Sequence, residues 1–169
     1  MVKKKLDQSK RVRPETLELR PVSEADRDFL LRVYADARRD ELERTNWPDE
    51  QKRLFVEHQF DAQTRHYREV YPASKHLIIN WNDEPVGRLF ISSDPEEIAI
   101  LDVTVLEEYR GRGIGTRIIE SLTSDAAASQ QRVRIYVEFF NPSGAFFQRR
   151  GFEPAEQDGI YIKFVWSPG

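Results

Sequence analysis

The stretch "LDVTVLEEYRGRGIGTRII", Leu101 to Ile119, decides how the rest of the chain is read. It opens on alternating β-formers and closes on an apolar helical stripe. Between them come Gly111, Gly113 and Gly115 at every second position, with Arg110 and Arg112 interleaved. Backbone N–H groups at a helix start have no internal partners, and the helix dipole adds positive potential there. Glycines allow the sharp turn and let an anion come close to the backbone. The loop therefore suits a phosphate or pyrophosphate. A P-loop would need a Gly-Lys-Ser/Thr ending, and no lysine is present; the dinucleotide pattern G-x-G-x-x-G would need a glycine at Thr116. Kinase-type glycine loops join two strands, not a strand and a helix. What remains is R-x-x-G-x-G, carried by Arg110, Gly113 and Gly115.

Working outward, Glu97 to Val105 reads as the strand that feeds the loop. Ile114, Ile118, Ile119, Leu122 and Ala126 form the stripe of a helix over Ile114–Ser129. Upstream, "HLIIN" (His76–Asn80) and "PVGRLFI" (Pro85–Ile91) read as two strands joined by a hairpin turn at "WNDE". Downstream come a strand at Val133–Phe139, a short helix in "PSGAFFQRR" stopped by Gly151, and a closing strand at Gly159–Trp166. The N-terminal part starts with a strand at Thr16–Arg20. A helix follows, opened by Ser23 and Asp26 in a capping-box-like pair, with Phe29, Leu30, Val33 and Ala37 at helical spacing. A second helix runs from Asp49 to about Val70, with Leu54, Phe55, Phe60 and Tyr67 as its apolar face. The order β-α-α-β-β-β-α-β-α-β predicts a mixed α/β domain: an antiparallel meander, then a crossover that makes one strand pair parallel.

Composition bounds the function. The chain has 169 residues, 33% charged and 39% hydrophobic. That is enough for one domain, which we place at residues 16–169. There is no apolar run of about 18 residues that would cross a membrane. A net charge of −3 argues against a general nucleic-acid binder. With no cysteine, disulfides and thiolate chemistry are excluded, and a cytoplasmic setting is the default. Residues 1–15 read as a basic, solvated, disordered tail without the apolar segment of a secretory signal. His58 and His66 are eight apart on one helix, but no third ligand suggests itself, so no metal site is expected.

"LDVTVLEEYRGRGIGTRII" resembles the acetyl-coenzyme A signature of the GCN5-related N-acetyltransferase (GNAT) superfamily, whose motif is Q/R-x-x-G-x-G/A after a bulged strand. "VEFFNPSGAFFQRRGFE" resembles that family's second signature, and "IYIKFVW" its closing strand. The region around Trp47, Gln51, Gln59, Phe60, Gln63 and Tyr67 resembles a bacterial subgroup with W-x-[DE]-x-Q, QF-x-AQ and HYR segments. The resemblance implies a mostly antiparallel sheet of six to seven strands, split at a β-bulge and flanked by about four helices. It implies that the backbone from Arg110 through Gly111, Arg112, Gly113, Ile114 and Gly115 to Thr116 cradles the pyrophosphate of acetyl-coenzyme A. It places the bulge near Thr104 and Val105, with the pantetheine arm pairing with Val103 and Val105 and held on its other side by Asn141. A primary amine acceptor, either a small molecule or a peptide, would lie against the first helices. Trp47, Gln59, Gln63 and Tyr67 would line its pocket, with Glu41 or Glu43 attracting the amine. Family members often pair through strands or helices, so a homodimer belongs to what the resemblance implies.

Acetyl transfer to an amine needs a base for the amine, polarisation of the thioester carbonyl and, in many members, a tyrosine acid four residues ahead of the "GF" glycine. Here that position is Phe147, which cannot donate a proton. Three readings follow. A thiolate with a pKa of about 8.5 leaves without help; Tyr136 or Tyr161 substitutes; or the chain is a regulatory module that binds acyl-coenzyme A with little turnover. Phe147 also has a packing role open to it, against the sheet and the cofactor arm. For the base, Asp102 and Glu138 lie on the two central strands, and strict alternation puts Leu101, Val103 and Val105 on the face opposite Asp102 and Thr104.

Overall fold

The computed structural model describes residues 15–169, so the basic tail expected over residues 1–15 lies, Glu15 apart, outside the described residues. The described residues form seven strands and five helices. In order these are β1 (Leu17–Pro21), α1 (Arg27–Ala37), α2 (Arg39–Glu43), α3 (Asp49–Val70), β2 (Lys75–Trp81), β3 (Glu84–Ser93), β4 (Glu97–Val105), α4 (Ile114–Ala128), β5 (Arg132–Glu138), α5 (Ser143–Gln148), β6 (Glu153–Asp158) and β7 (Tyr161–Trp166). The sheet runs β1-β2-β3-β4-β5-β7-β6. Each neighbouring pair is antiparallel except β4 and β5, which the α4 crossover makes parallel.

Local chemistry explains most of these elements. The hairpin between β2 and β3 turns on Asn82 and Asp83, both with positive φ (51° and 65°). Short polar side chains of this kind tolerate that conformation. At the start of α1, the Ser23 backbone N–H donates to Asp26 Oδ2 at 2.8 Å. Arg20 of β1 grips both Asp26 oxygens at 2.8 Å, tying strand to helix and holding that carboxyl well below its ordinary range. The α4 stripe expected from the sequence is buried in full, from Ile114 to Ala126. It packs with Ile79, Leu89, Ile98, Ile100, Val133 and Phe152 into the larger core. On the other face of the sheet, Leu30, Tyr34, Val56 and Phe60 of α1 and α3 close over Ile78.

Two elements were not expected. β6 reads Glu-Pro-Ala-Glu-Gln-Asp and is exposed throughout, so it carries no apolar alternation. It exists because β7 offers it a backbone ladder at the sheet edge. α2 is five residues of mostly charged sequence with no buried side chain. On α3 the face that packs is also narrower than expected: Leu54 is 52% exposed, and Val56, Phe60, Gln63 and Tyr67 form the stripe toward the sheet.

The bulge needs the larger correction. Ile91 pairs with Ile100 but Phe90 pairs with Asp102, so Leu101 is the extra residue, not Thr104 or Val105. The added residue resets the alternation. Ile98 and Ile100 face the α4 core before the bulge, and Val103 and Val105 face it after. The parallel ladder ends at the same level, with Ile100 opposite Ile135 as its last pair. The Tyr67 hydroxyl donates to the Leu101 carbonyl at 3.0 Å, so a side chain of α3 takes an acceptor that the bulge displaces from the ladder. Beyond the bulge, β3 and β4 approach closely because position 87 is glycine: a Cβ there would lie 2.2 Å from the Thr104 carbonyl oxygen.

Candidate active site

Where β4 and β5 part, they leave a cleft of about 760 Å³, within the usual size of a small-molecule or cofactor site. Its floor comes from the two separated strands: Leu101, Asp102, Val103 and Val105 on one side, Ile135, Tyr136, Val137 and Glu138 on the other. At one end stands the glycine loop. Gly111 and Gly113 have φ of +76° and +82°, which side chains rarely adopt, and no protein atom lies within 4 Å of where a Cβ would be. These glycines are therefore required by backbone conformation, and the space before them stays open. The first helical bond of α4 is from Arg117 N–H to Gly113 at 3.1 Å, and the N–H groups of Gly111 to Thr116 find no partner among the described residues.

Arg150 closes this end. Its guanidinium lies 3.5 Å above the Phe146 ring, donates to the Phe146 carbonyl at 2.7 Å and bonds the Thr116 hydroxyl. Its Nε is buried without a partner. Arg110 also lines the loop end, donating from Nε to the Val105 carbonyl at 3.0 Å. Arg112 turns away, over Tyr109 and onto the Glu108 carbonyl.

The other end holds the titratable groups. Asp102 accepts from Arg88 Nε at 2.6 Å and from Thr104 Oγ1 at 3.2 Å, and Arg88, only 2% exposed, also bonds Gln63. Across the cleft, Glu138 makes no side-chain hydrogen bond or ion pair among the described residues. It sits opposite Tyr161 in the β5–β7 ladder. Tyr67 points its ring at Phe90, centroids 5.1 Å apart, and burial pushes its hydroxyl up to about 12. It is a fixed hydrogen-bond donor to the bulge and not a proton source near neutrality. Phe147 lines the cleft but is buried in the main core against Phe152, so an apolar ring stands at the position where the resemblance leads one to expect a tyrosine acid.

The cleft gathers Asp102, Glu138, Tyr136, Tyr161, Gln63 and Tyr67 with the loop residues Arg110, Gly111, Gly113, Ile114, Gly115 and Thr116. Asn141 lines it too, with its Oδ1 accepting the Ser143 N–H at 2.9 Å and so opening α5. Thr104, Gln59 and Trp47 lie off its wall. Trp47 packs on Phe55 and borders a separate shallow depression on the outer side of α3 with His58 and Asp61. Gln63 and Tyr67 reach the cleft because they continue the Val56–Phe60 stripe at i+7 and i+11; Gln59, one turn before Gln63, does not line it. Arg38, Tyr109, Phe146 and Arg150 line the cleft without having been singled out from the sequence. Of these only Arg150 had a local signal, next to the "GF" segment.

The model of the acetyltransferase (GNAT) family matches residues 32–152. The chain belongs to that family. Among solved structures, the chain is similar to a PaiA N-acetyltransferase from Thermoplasma acidophilum in complex with coenzyme A (15% identity, 90% of this chain and 99% of that one, TM-score 0.67). It is also similar to an acetyltransferase from Thermus thermophilus (26% identity, 90% and 97%, TM-score 0.66) and to PH1933 from Pyrococcus horikoshii OT3 (16% identity, 92% and 99%, TM-score 0.65). Comparison with curated proteins gives no match. GNAT members are acyltransferases that take the acetyl group from acetyl-coenzyme A, and this GNAT cleft fits that cosubstrate. Six consecutive loop N–H groups without partners, open space at Gly111 and Gly113, and the unpartnered Arg150 Nε suit its phosphates. The parted edges of β4 and β5 suit its extended arm. No helix among the described residues is long and apolar enough to cross a membrane.

Proposed function

We propose that this GNAT domain is an N-acetyltransferase that passes the acetyl group directly to a primary amine, both substrates lying in one cleft. One observation carries the reading: the glycine loop and Glu138, a carboxylate without a partner among the described residues, line the same cleft on either side of the strand split. The cosubstrate supplies an acetyl thioester whose thiolate is already a good leaving group near neutral pH.

The residues then divide the work. The N–H groups of Gly111 to Thr116, with Arg110 and Arg150, hold the phosphates. Backbone groups of Val103 and Val105 hold the arm, and Asn141 and Phe147 flank it. Glu138 takes the proton from the incoming amine. Asp102 is the weaker candidate for that task, because Arg88 and Thr104 already bond its oxygens. Instead it anchors Arg88 and Gln63 at the acceptor end. Tyr136, the first β5 residue beyond the last parallel pair, and Tyr161 beside Glu138 offer hydroxyls to the leaving sulfur.

The test is release of free coenzyme A thiol from acetyl-coenzyme A against a panel of amines, with a Gly113→Asp variant as control. Amine-dependent release that the variant lacks supports the reading. Failure of acetyl-coenzyme A to bind at millimolar concentration sinks it. Binding without release from any amine favours the second reading, an acyl-coenzyme A-binding module of little turnover, which the phenyl ring of Phe147 motivates.

A further inference from the structure

The acceptor end of the cleft holds a cation that has no ionic partner among the described residues. The arginines that tie the fold together are paired: Arg20 with Asp26, Arg27 with Asp61, Arg39 with Asp36, Arg88 with Asp102 and Arg134 with Glu97. Arg38 also lines the cleft, yet its guanidinium makes no hydrogen bond and no ion pair among the described residues. It is held all the same. Its Cζ lies 3.5 Å from the centroid of the Tyr34 ring, itself 5% exposed, so stacking fixes the plane and leaves the N–H edge free. Its backbone is fixed too, at the joint between α1 and α2, where the Arg38 N–H bonds Ala35 and the Leu42 N–H bonds Arg38.

Its neighbours place it with the acceptor. The Tyr34 ring on which Arg38 stacks also lies 5.9 Å from the guanidinium of Arg88, which bonds Asp102 and Gln63. The phosphate loop has its own cations in Arg110 and Arg150, so Arg38 is not needed there. Among the described residues, the acceptor end therefore offers a free anion, Glu138, and a free cation, Arg38.

Resting on the transferase reading above, we infer that the acceptor is a small amine that also carries a carboxylate. Its ammonium group faces Glu138 and its carboxylate meets the free edge of Arg38. A guanidinium matches a carboxylate in a planar, two-bond contact, and a stacked one loses little further freedom on binding. An amine whose far end is uncharged leaves the cation unmatched, and a diamine is repelled by it.

The test uses three probes of similar length: 4-aminobutanoate, 4-aminobutanamide and 1,4-diaminobutane. Each is titrated by calorimetry into the protein saturated with coenzyme A, and each is assayed for thiol release with acetyl-coenzyme A. The expected result is that the aminocarboxylate binds about tenfold or more tightly than the amide, and more tightly still than the diamine. Arg38→Gln should collapse that ratio to near one, while Arg38→Lys should keep part of it. Equal or tighter binding of the amide or the diamine, no binding of the aminocarboxylate, or a ratio unchanged in Arg38→Gln overturns the inference. Coenzyme A stabilisation of the wild type and of Arg38→Gln, read in the same samples by thermal unfolding, separates this from failure of the transferase reading, which would show as no binding of coenzyme A or as no thiol release with any amine.

Discussion

Replacing Tyr67 by phenylalanine removes one oxygen atom and tests the account of the split sheet. The ring keeps its contact with Phe90 at 5.1 Å, so the packing term is nearly unchanged. What goes is the bond from the hydroxyl to the Leu101 carbonyl, 3.0 Å long, at the residue that forms the bulge. A hydrogen bond of this kind contributes about 1 kcal/mol net, and leaving a buried acceptor without a partner costs about 1–3 kcal/mol. A loss of about 2 kcal/mol follows, which for a domain of this size lowers Tm by about 4–8 °C. If the variant lets the bulge relax toward a regular ladder, the open cleft is less populated, and each step of about 1.4 kcal/mol in that bias lowers kcat/KM for acetyl-coenzyme A about tenfold. The assay is thermal unfolding followed by circular dichroism, with thiol-release kinetics on the same protein. A Tm within about 1 °C of wild type with unchanged KM for acetyl-coenzyme A would show that the bulge holds without Tyr67, and would refute the reasoning.

Four further outcomes follow from the same geometry. His76 is stacked on Phe90 with both ring nitrogens buried and unpartnered. Burial first, then Arg88 and Arg68, with Asp102 and Asp26 opposing, push its pKa down to about 4. The unfolded chain takes up that proton near pH 6.5 and the folded one only near 4. Stability is therefore complete above about 6.5 and declines as pH falls toward about 4, by at most about 3 kcal/mol. His76→Phe should flatten this window relative to wild type in urea titrations at successive pH values. Glu138→Gln should lower kcat by about 10²–10⁴-fold with little change in the binding of acetyl-coenzyme A, measured by calorimetry. Asp102→Asn should act through position, raising the acceptor KM more than it lowers kcat; the reverse ranking would exchange the two roles. Gly113→Ala forces a side chain into φ of +82°, which costs about 1–2 kcal/mol of stability. It should weaken acetyl-coenzyme A more than the amine, read by calorimetry and by the two KM values.

Much of this protein is written in local sequence, and the rest is not, for identifiable reasons. The glycine loop, the α4 stripe and the β2–β3 hairpin rest on residues close together in the chain: positive φ at Gly111 and Gly113, five apolar positions at helical spacing, Asn82 and Asp83 at a tight turn. Short-range constraints of that kind are legible one residue at a time, and with them came the family and the likeness of the loop to a phosphate site. The short edge strand β6 was not legible, because β7 makes it by backbone pairing and its side chains carry no pattern. Nor was the bulge at Leu101, since an extra residue shows only against the register of β3 and against a hydroxyl 34 residues away on α3. The acceptor end is the extreme case. Neither Arg38, next to Arg39, nor Arg88, inside the strand segment PVGRLFI, shows its role at the cleft in its local sequence. Tertiary packing alone made Arg88 a buried partner of Asp102; Arg38 stacks on Tyr34, four residues earlier in the chain, and what only the tertiary structure decided is that this local pair lines the cleft.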